Sequence, residues 1–299
     1  GKDVRELLFS FERDQYLSNN LLLLAEHLTR THAVVDLAYQ RTPHSTVWCV
    51  RADGCLLCMT YQRDHNVVAW SRMYTGSDKL TAIKAVPTKG KFETVAVIPH
   101  WSVGREVAFF VVNRNINGAQ KRYVEYIDDT GGFYGPVFVD SGLVYDGTPV
   151  TIITGLGHLN GETVDILGDG AVYPSEVVSG GQVTLDGAPA SKIEIGLPYI
   201  SLLETMRPEV PIQGTSQGRM KHWAEIIVRL EESLGCFVEG EEVPFRSSTD
   251  LMDAPPPIFT GDVVIRNADR NPDATVTVEQ RQPLPLTVCG IFGTLGIGE

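Results

Sequence analysis

Pairs of turn-forming residues punctuate this chain at short intervals, and they limit what it can fold into more than any other feature. Asp53-Gly54, Asn117-Gly118, Asn160-Gly161, Asp169-Gly170, Gly180-Gly181 and Asp186-Gly187 are the dipeptides that tight hairpin turns favour, because both central residues of such turns need positive φ. Between them lie short apolar runs such as VTIITGL, QVTLDG and SKIEIGLPY. Short apolar runs bounded by turns are strands, so an all-β fold is predicted. The 29 glycines and 17 prolines, spread through 299 residues, argue the same way against a helical bundle.

Three regions are predicted. In residues 1–145, VVDLAY followed by TVWCVRADG is echoed sixty residues later by TVAVIPH followed by EVAFFVVNRNINGA, with Val35 and Val95 standing to Val47 and Val107 in the same relation. A recurring strand-hairpin-strand unit is the pattern of β-propeller blades, and two units make a partial, propeller-like array. Residues 146–196 read as a small β-barrel or sandwich with glycine turns, and residues 197–299 as a C-terminal β-sandwich. The segment RMKHWAEIIVRLEESLG fits two templates. It contains strong helix formers and ends at Gly235, yet Ala224, Ile226, Val228 and Leu230 alternate with mostly polar neighbours. Its β neighbours favour the strand.

No catalytic, cofactor-binding or metal site is predicted. GTSQGRMKHW has two glycines and two basic residues, but Gly214 and Gly218 are four apart, and no lysine-hydroxyl pair follows the second. A phosphate loop needs both features. The stretch reads as a flexible connection, with Arg219 and Lys221 available to the acids of a neighbouring subunit. Cys55 and Cys58 form a C-x-x-C without a second pair. Positions three apart on a strand point to opposite faces, which favours core cysteines. A zinc site completed by Cys49 with His44 or His65 stands as the alternative. The seven histidines show no metal-ligand spacing, and Gly-x-Ser-x-Gly is absent. DILGDG carries acids without the spacing of a calcium loop and reads as a hairpin turn. Trp48, Trp70 and Trp101 are expected in the core rather than at a sugar-stacking surface.

The 25 Lys and Arg against 37 Asp and Glu give a net charge of -12. Such a balance argues against a protein that grips nucleic acid by neutralising phosphates. An odd number of cysteines, five, without regular spacing predicts reduced thiols. The longest apolar run, within NNLLLLAEHL, is too short to span a bilayer. The first residue is Gly1, with no signal peptide pattern after it, and the chain is read as a trimmed or C-terminal portion of a longer protein.

Longer phrases add a resemblance. LLLLAEHLTRTHAVVDLAYQRTPHSTVWCVRADGCLLCMTYQRDHNVVAWSRM, HLNGETVDILGDGAVYPSEVVSGGQVTLDGAPASKIEIGLPYISLLETMRPEV, FRSSTDLMDAPPPIFTGDVVI and QPLPLTVCGIFGTL resemble the later part of bacteriophage tail proteins of the tail tubular protein B, or nozzle, type. The resemblance implies a structural, non-enzymatic virion component of a short-tailed phage or prophage, assembled in the cytoplasm of the bacterial host. It implies an interrupted propeller with further blades before Gly1, and a homo-oligomeric ring, a hexamer in the family. Other tail and adaptor proteins would be its partners, and DNA would pass through without sequence-specific binding. The cysteines of WCVRADGCLLCM depart from what a tube needs, which keeps the zinc alternative open. A receptor- or carbohydrate-binding tail module and an envelope glycosidase are the competing functions.

Overall fold

The computed structural model describes residues 1–76, 90–100, 104–210, 215–247, 249–251, 254–266 and 270–298. The fold is all-β, and the helical turns among the described residues are three-residue 3-10 turns. Two compact units divide at Asp128.

The first unit begins with an isolated hairpin, β1 (Arg5–Ser10) and β2 (Gln15–Asn20). It continues as a four-stranded antiparallel meander of β3 (Val34–Gln40), β4 (Thr46–Arg51), β5 (Leu56–Gln62) and β6 (Val67–Met73). A three-stranded meander comes next, of β7 (Gly90–Pro99), β8 (Glu106–Ile116) and β9 (Ala119–Tyr126). Asn117 and Gly118 join β8 to β9 with φ of 48° and 78°, the left-handed pair that an Asn-Gly turn supplies at least strain.

The hairpin β4–β5 is buried on both faces. Trp48, Val50 and Leu56 pack against Val95, Ala108, Phe110 and Val112 of the second meander. On the reverse, Cys49, Cys55 and Leu57 pack with Leu28 and Val34. Successive strand residues point to opposite faces, so burial on both sides requires a continuous apolar run. That requirement explains why CLLCM does not alternate with polar residues. The two meanders repeat in strand order but not in register: Tyr39 pairs with Val47, whereas Ile98 pairs with Val107. Val95 consequently lies in the core while Val35 is exposed.

Polar contacts lock the meanders together. The Asp36 carboxylate accepts hydrogen bonds from the Thr94 hydroxyl, from the Val95 amide at 3.0 Å and from the Leu37 amide at 2.9 Å. At the other end of β3, Glu106 accepts the Arg41 amide at 2.6 Å, and Gln40 donates to the Glu106 carbonyl at 2.8 Å.

The second unit opens with β10 (Asp140–Val150), β11 (Ile152–Thr154), β12 (Thr163–Gly168), β13 (Ala171–Val177), β14 (Gln182–Thr184) and β15 (Ala190–Leu197). Their order is β10-β15-β12-β13, with β11 and β14 forming a separate two-stranded ribbon. Among the described residues this sheet is open, so the small barrel expected over 146–196 does not close. Four strands enclose too little volume to hold a ring of interior side chains.

After β16 (Ser201–Glu204) come β17 (Lys221–Ser233), β18 (Cys236–Val238), β19 (Glu241–Glu242), β20 (Phe259–Arg266), β21 (Thr277–Gln280) and β22 (Thr287–Ile297). They form two sheets, β16-β21-β18-β19 and β20-β17-β22. Ile226, Val228, Leu230 and Ile265 of one sheet meet Cys236, Val238 and Val278 of the other. The ambiguous segment is therefore β17, the central strand of its sheet, and its alternating residues are the sandwich core. Leu167 of β12 packs with Leu234 and Leu284, so the small sheet and the sandwich share an apolar contact.

Asp36 ties acid stability to the meander contact. The Thr94 hydroxyl, above all, and the Val95 and Leu37 amides hold its carboxyl below the usual carboxylate range, against the opposing effect of burial. A depressed native pKa contributes stability above the unfolded pKa, and that contribution is lost as pH falls through the native value. Asp36→Asn is expected to be less stable than wild type at neutral pH. Its stability should fall less steeply below about pH 4, as read from denaturant midpoints across the pH range.

Candidate functional surfaces

The described residues of GTSQGRMKHW, 215–223, are hydrogen-bonded to neighbouring segments of the chain. Gly214 lies outside the described residues. Glu209 accepts hydrogen bonds from the Thr215 hydroxyl at 3.1 Å and the Ser216 amide at 3.2 Å. The buried Ser216 hydroxyl accepts the Val210 amide at 3.0 Å. Lys221 contradicts the expected role at a subunit contact. It is among the largest fully buried side chains, and its Nζ donates to the Pro272 carbonyl at 3.0 Å. Its backbone also pairs with Asn271, which ties the start of β17 to the loop ahead of β21. A basic residue whose stem is buried and whose ammonium donates to a carbonyl of its own chain holds structure and is not accessible to a partner. Arg219 remains exposed.

The C-x-x-C splits across the sheet. Cys49 and Cys55 belong to the cluster behind β4–β5, and Cys58 packs on the opposite face beside Trp48. Burial pushes the Cys49 thiol up to about 12, with the neighbouring Cys58 adding to the effect. A thiol held protonated in this way is a poor nucleophile. His44 and His65 are exposed. No group of three or more His, Cys, Asp or Glu residues is arranged to hold a metal ion among the described residues, so the zinc alternative finds no donor set.

Trp48 is buried, and its indole N–H donates to Gln40 at 2.9 Å. Trp70 packs on the reverse cluster and donates to the Leu21 carbonyl at 3.0 Å. Trp101 lies outside the described residues. The acids of DILGDG serve the fold. Asp169 and Gly170 form the β12–β13 turn with φ of 48° and 82°, while the Asp169 carboxylate accepts the amides of Ser191 at 2.9 Å and Lys192 at 2.8 Å. Asp165 accepts the Ser175 hydroxyl at 2.6 Å.

Charge is unevenly divided along the chain, a signal that the total conceals. Residues 1–128 hold 16 Lys and Arg and 13 Asp and Glu, so the net charge of -12 arises wholly from residues 129–299. Between Arg122 and Arg207 there are twelve acids and one base, Lys192. Some of these acids are structural. The fully buried Glu194 accepts the amides of Phe133 and Phe138 and fixes the loop that leads into β10. Asp146 and Asp186 are exposed, and Glu176 is half-buried. The small open sheet is thus a module whose surface carries carboxylates with almost no cation to balance them. Such a surface repels polyanions.

No helix among the described residues is long and apolar enough to cross a membrane. No family model matches the chain, and no curated protein matches it.

The buried Lys221 predicts a separation between two neighbouring basic residues. Lys221→Ala should lower stability by about 1–3 kcal/mol, because it strips the Pro272 carbonyl of its buried donor and leaves a void. Arg219→Ala should change it by less than about 0.5 kcal/mol. Thermal or denaturant unfolding of both variants checks this.

Proposed function

We propose that the chain is a structural component of a bacteriophage tail, a nozzle-type protein that forms part of the wall through which DNA is ejected. The observation that carries this reading is the resemblance of its long phrases to tail proteins of that type. The charge distribution supports it. A wall lined with carboxylates lets DNA slide, whereas clustered cations would retain it by counterion release. The acid-rich residues 123–206 are accordingly assigned to the DNA-facing side, and no catalytic residue, cofactor or metal is assigned. Virion tail is the proposed location. The proposed partners are further copies of the chain in a ring, a hexamer by the resemblance, together with other tail and adaptor proteins.

One observation favours a second reading, a receptor- or carbohydrate-binding tail module. Phe9, Phe11 and Tyr16 are exposed together on the β1–β2 hairpin. Aromatic rings grouped at one site stack on sugars. The first reading is preferred because the resemblance runs through most of the chain, whereas the aromatic group occupies one hairpin. Immunogold electron microscopy of virions labelled on this chain separates the two. Label on the tail axis below the capsid is expected. Label on fibres, combined with glycan-array binding by the purified chain, would replace the conduit by the adhesin.

A further inference from the structure

Two apolar surfaces of the first unit are exposed among the described residues. One is the β1–β2 hairpin. Its base is anchored: the Tyr61 hydroxyl donates to Glu6, and the Leu21 amide donates to the Val4 carbonyl at 3.0 Å. Beyond the base it stands alone as a two-stranded sheet. Leu7 is 72% exposed, Tyr16 71% and Phe11 91%, and Phe9 meets Tyr16 edge to face at 5.3 Å. Isolated two-stranded hairpins are marginal in water, and they gain stability when their apolar face is covered.

The other surface is the outer face of the β7–β8–β9 sheet. The register places Ala96, Phe109 and Tyr126 in one row and Val111 and Val124 in the next, where Thr94 closes the row against Asp36 of β3. These rows lie opposite Phe110 and Val112, which fill the core between the meanders. Val124 is 72% exposed and Tyr126 52%, with Ile98 and Ile127 exposed beside them.

We propose that the hairpin is an assembly arm, which seats Leu7, Phe9, Phe11 and Tyr16 on the outer face of the β7–β8–β9 sheet of a second copy of this chain. Three observations select a second copy as the occupant. Every copy carries one arm and one face, so a single head-to-tail contact covers both. The arm's four side chains offer on the order of 600 Å², the lower end of what one side of a specific interface needs. Electrostatics chooses the same part of the molecule. Copies that each carry a net charge of -12 repel, but residues 1–128 have a small excess of bases, so contact through this region meets the least repulsion. A head-to-tail contact closes into a ring when its rotation permits. The proposal rests on the self-assembly part of the proposed function and supplies the contact that it lacks.

Analytical ultracentrifugation of the full chain tests it. The wild type is expected to associate reversibly with rising concentration. The arm variant Phe11→Ser/Tyr16→Ser and the face variant Val124→Lys should each weaken association by roughly tenfold or more. An equimolar mixture of the two variants should form one-to-one dimers, because one intact arm and one intact face remain between them. Circular dichroism and thermal melting check that each variant folds; if the arm variant does not, Val124→Lys carries the test, since its side chain is exposed. The proposal is overturned by a wild type that stays monomeric at about 100 μM, well above the micromolar constants of the weaker interfaces of this area. It is equally overturned by folded variants that associate as tightly as wild type, or that fail to complement each other. A monomeric wild type would leave the axial location in the virion untouched. Label on fibres would remove the tail-wall reading while leaving self-association standing.

Discussion

Burial of the β4–β5 hairpin on both faces is the constraint on which the first unit depends. Most antiparallel hairpins keep one face in water, and their strands alternate apolar with polar residues. Here Trp48 and Val50 face the second meander while Cys49 and Leu57 face the segment around Leu28 and Val34. Truncating a buried Trp to Ala in such a setting costs about 3–5 kcal/mol, a large part of the net stability of a typical domain. The cysteines belong to this arrangement. They are small apolar groups filling two opposed surfaces, and their spacing reflects strand geometry rather than ligand geometry.

The second unit is organised differently. Its sandwich is held by the alternating residues of β17, and the small sheet beside it relies on carboxylates directed at backbone amides. Asp169 and Glu194 together accept four amide hydrogen bonds. Hydrogen bonds to a charged acceptor are stronger than neutral ones, and they fix the β12–β13 turn and the loop that leads into β10. The acidic composition of this region thus has two uses. Some carboxylates build the fold, and those left at the surface set the field that a passing polyanion would meet.

Much of the fold is legible in the sequence because hairpin chemistry is local. Asn117-Gly118 and Asp169-Gly170 sit at turns whose φ values follow from those residue types, and the alternation in β17 marks its core face without reference to any other strand. Closure of a sheet is not local. Nothing in residues 146–196 records whether β10 and β13 meet, and they do not. The burial of Lys221 is hidden for a related reason. A lysine in a glycine-rich turn looks exposed until the loop carrying Pro272 is folded over it, fifty-one residues away in sequence. The apolar arm is equally hidden, since the sequence of β1 and β2 does not say whether a third strand covers them.

If the acid-rich module lines a conduit for DNA, genome ejection from virions measures that link directly. Particles carrying Asp146→Lys, Glu176→Lys and Asp186→Lys in this chain can be triggered in vitro and the release of DNA timed against wild type. Slower ejection is predicted, with the delay relieved as ionic strength rises, because cations in the wall retain phosphate through counterion release. Ejection at the wild-type rate at low salt from assembled variant particles would contradict a DNA-facing role for these carboxylates.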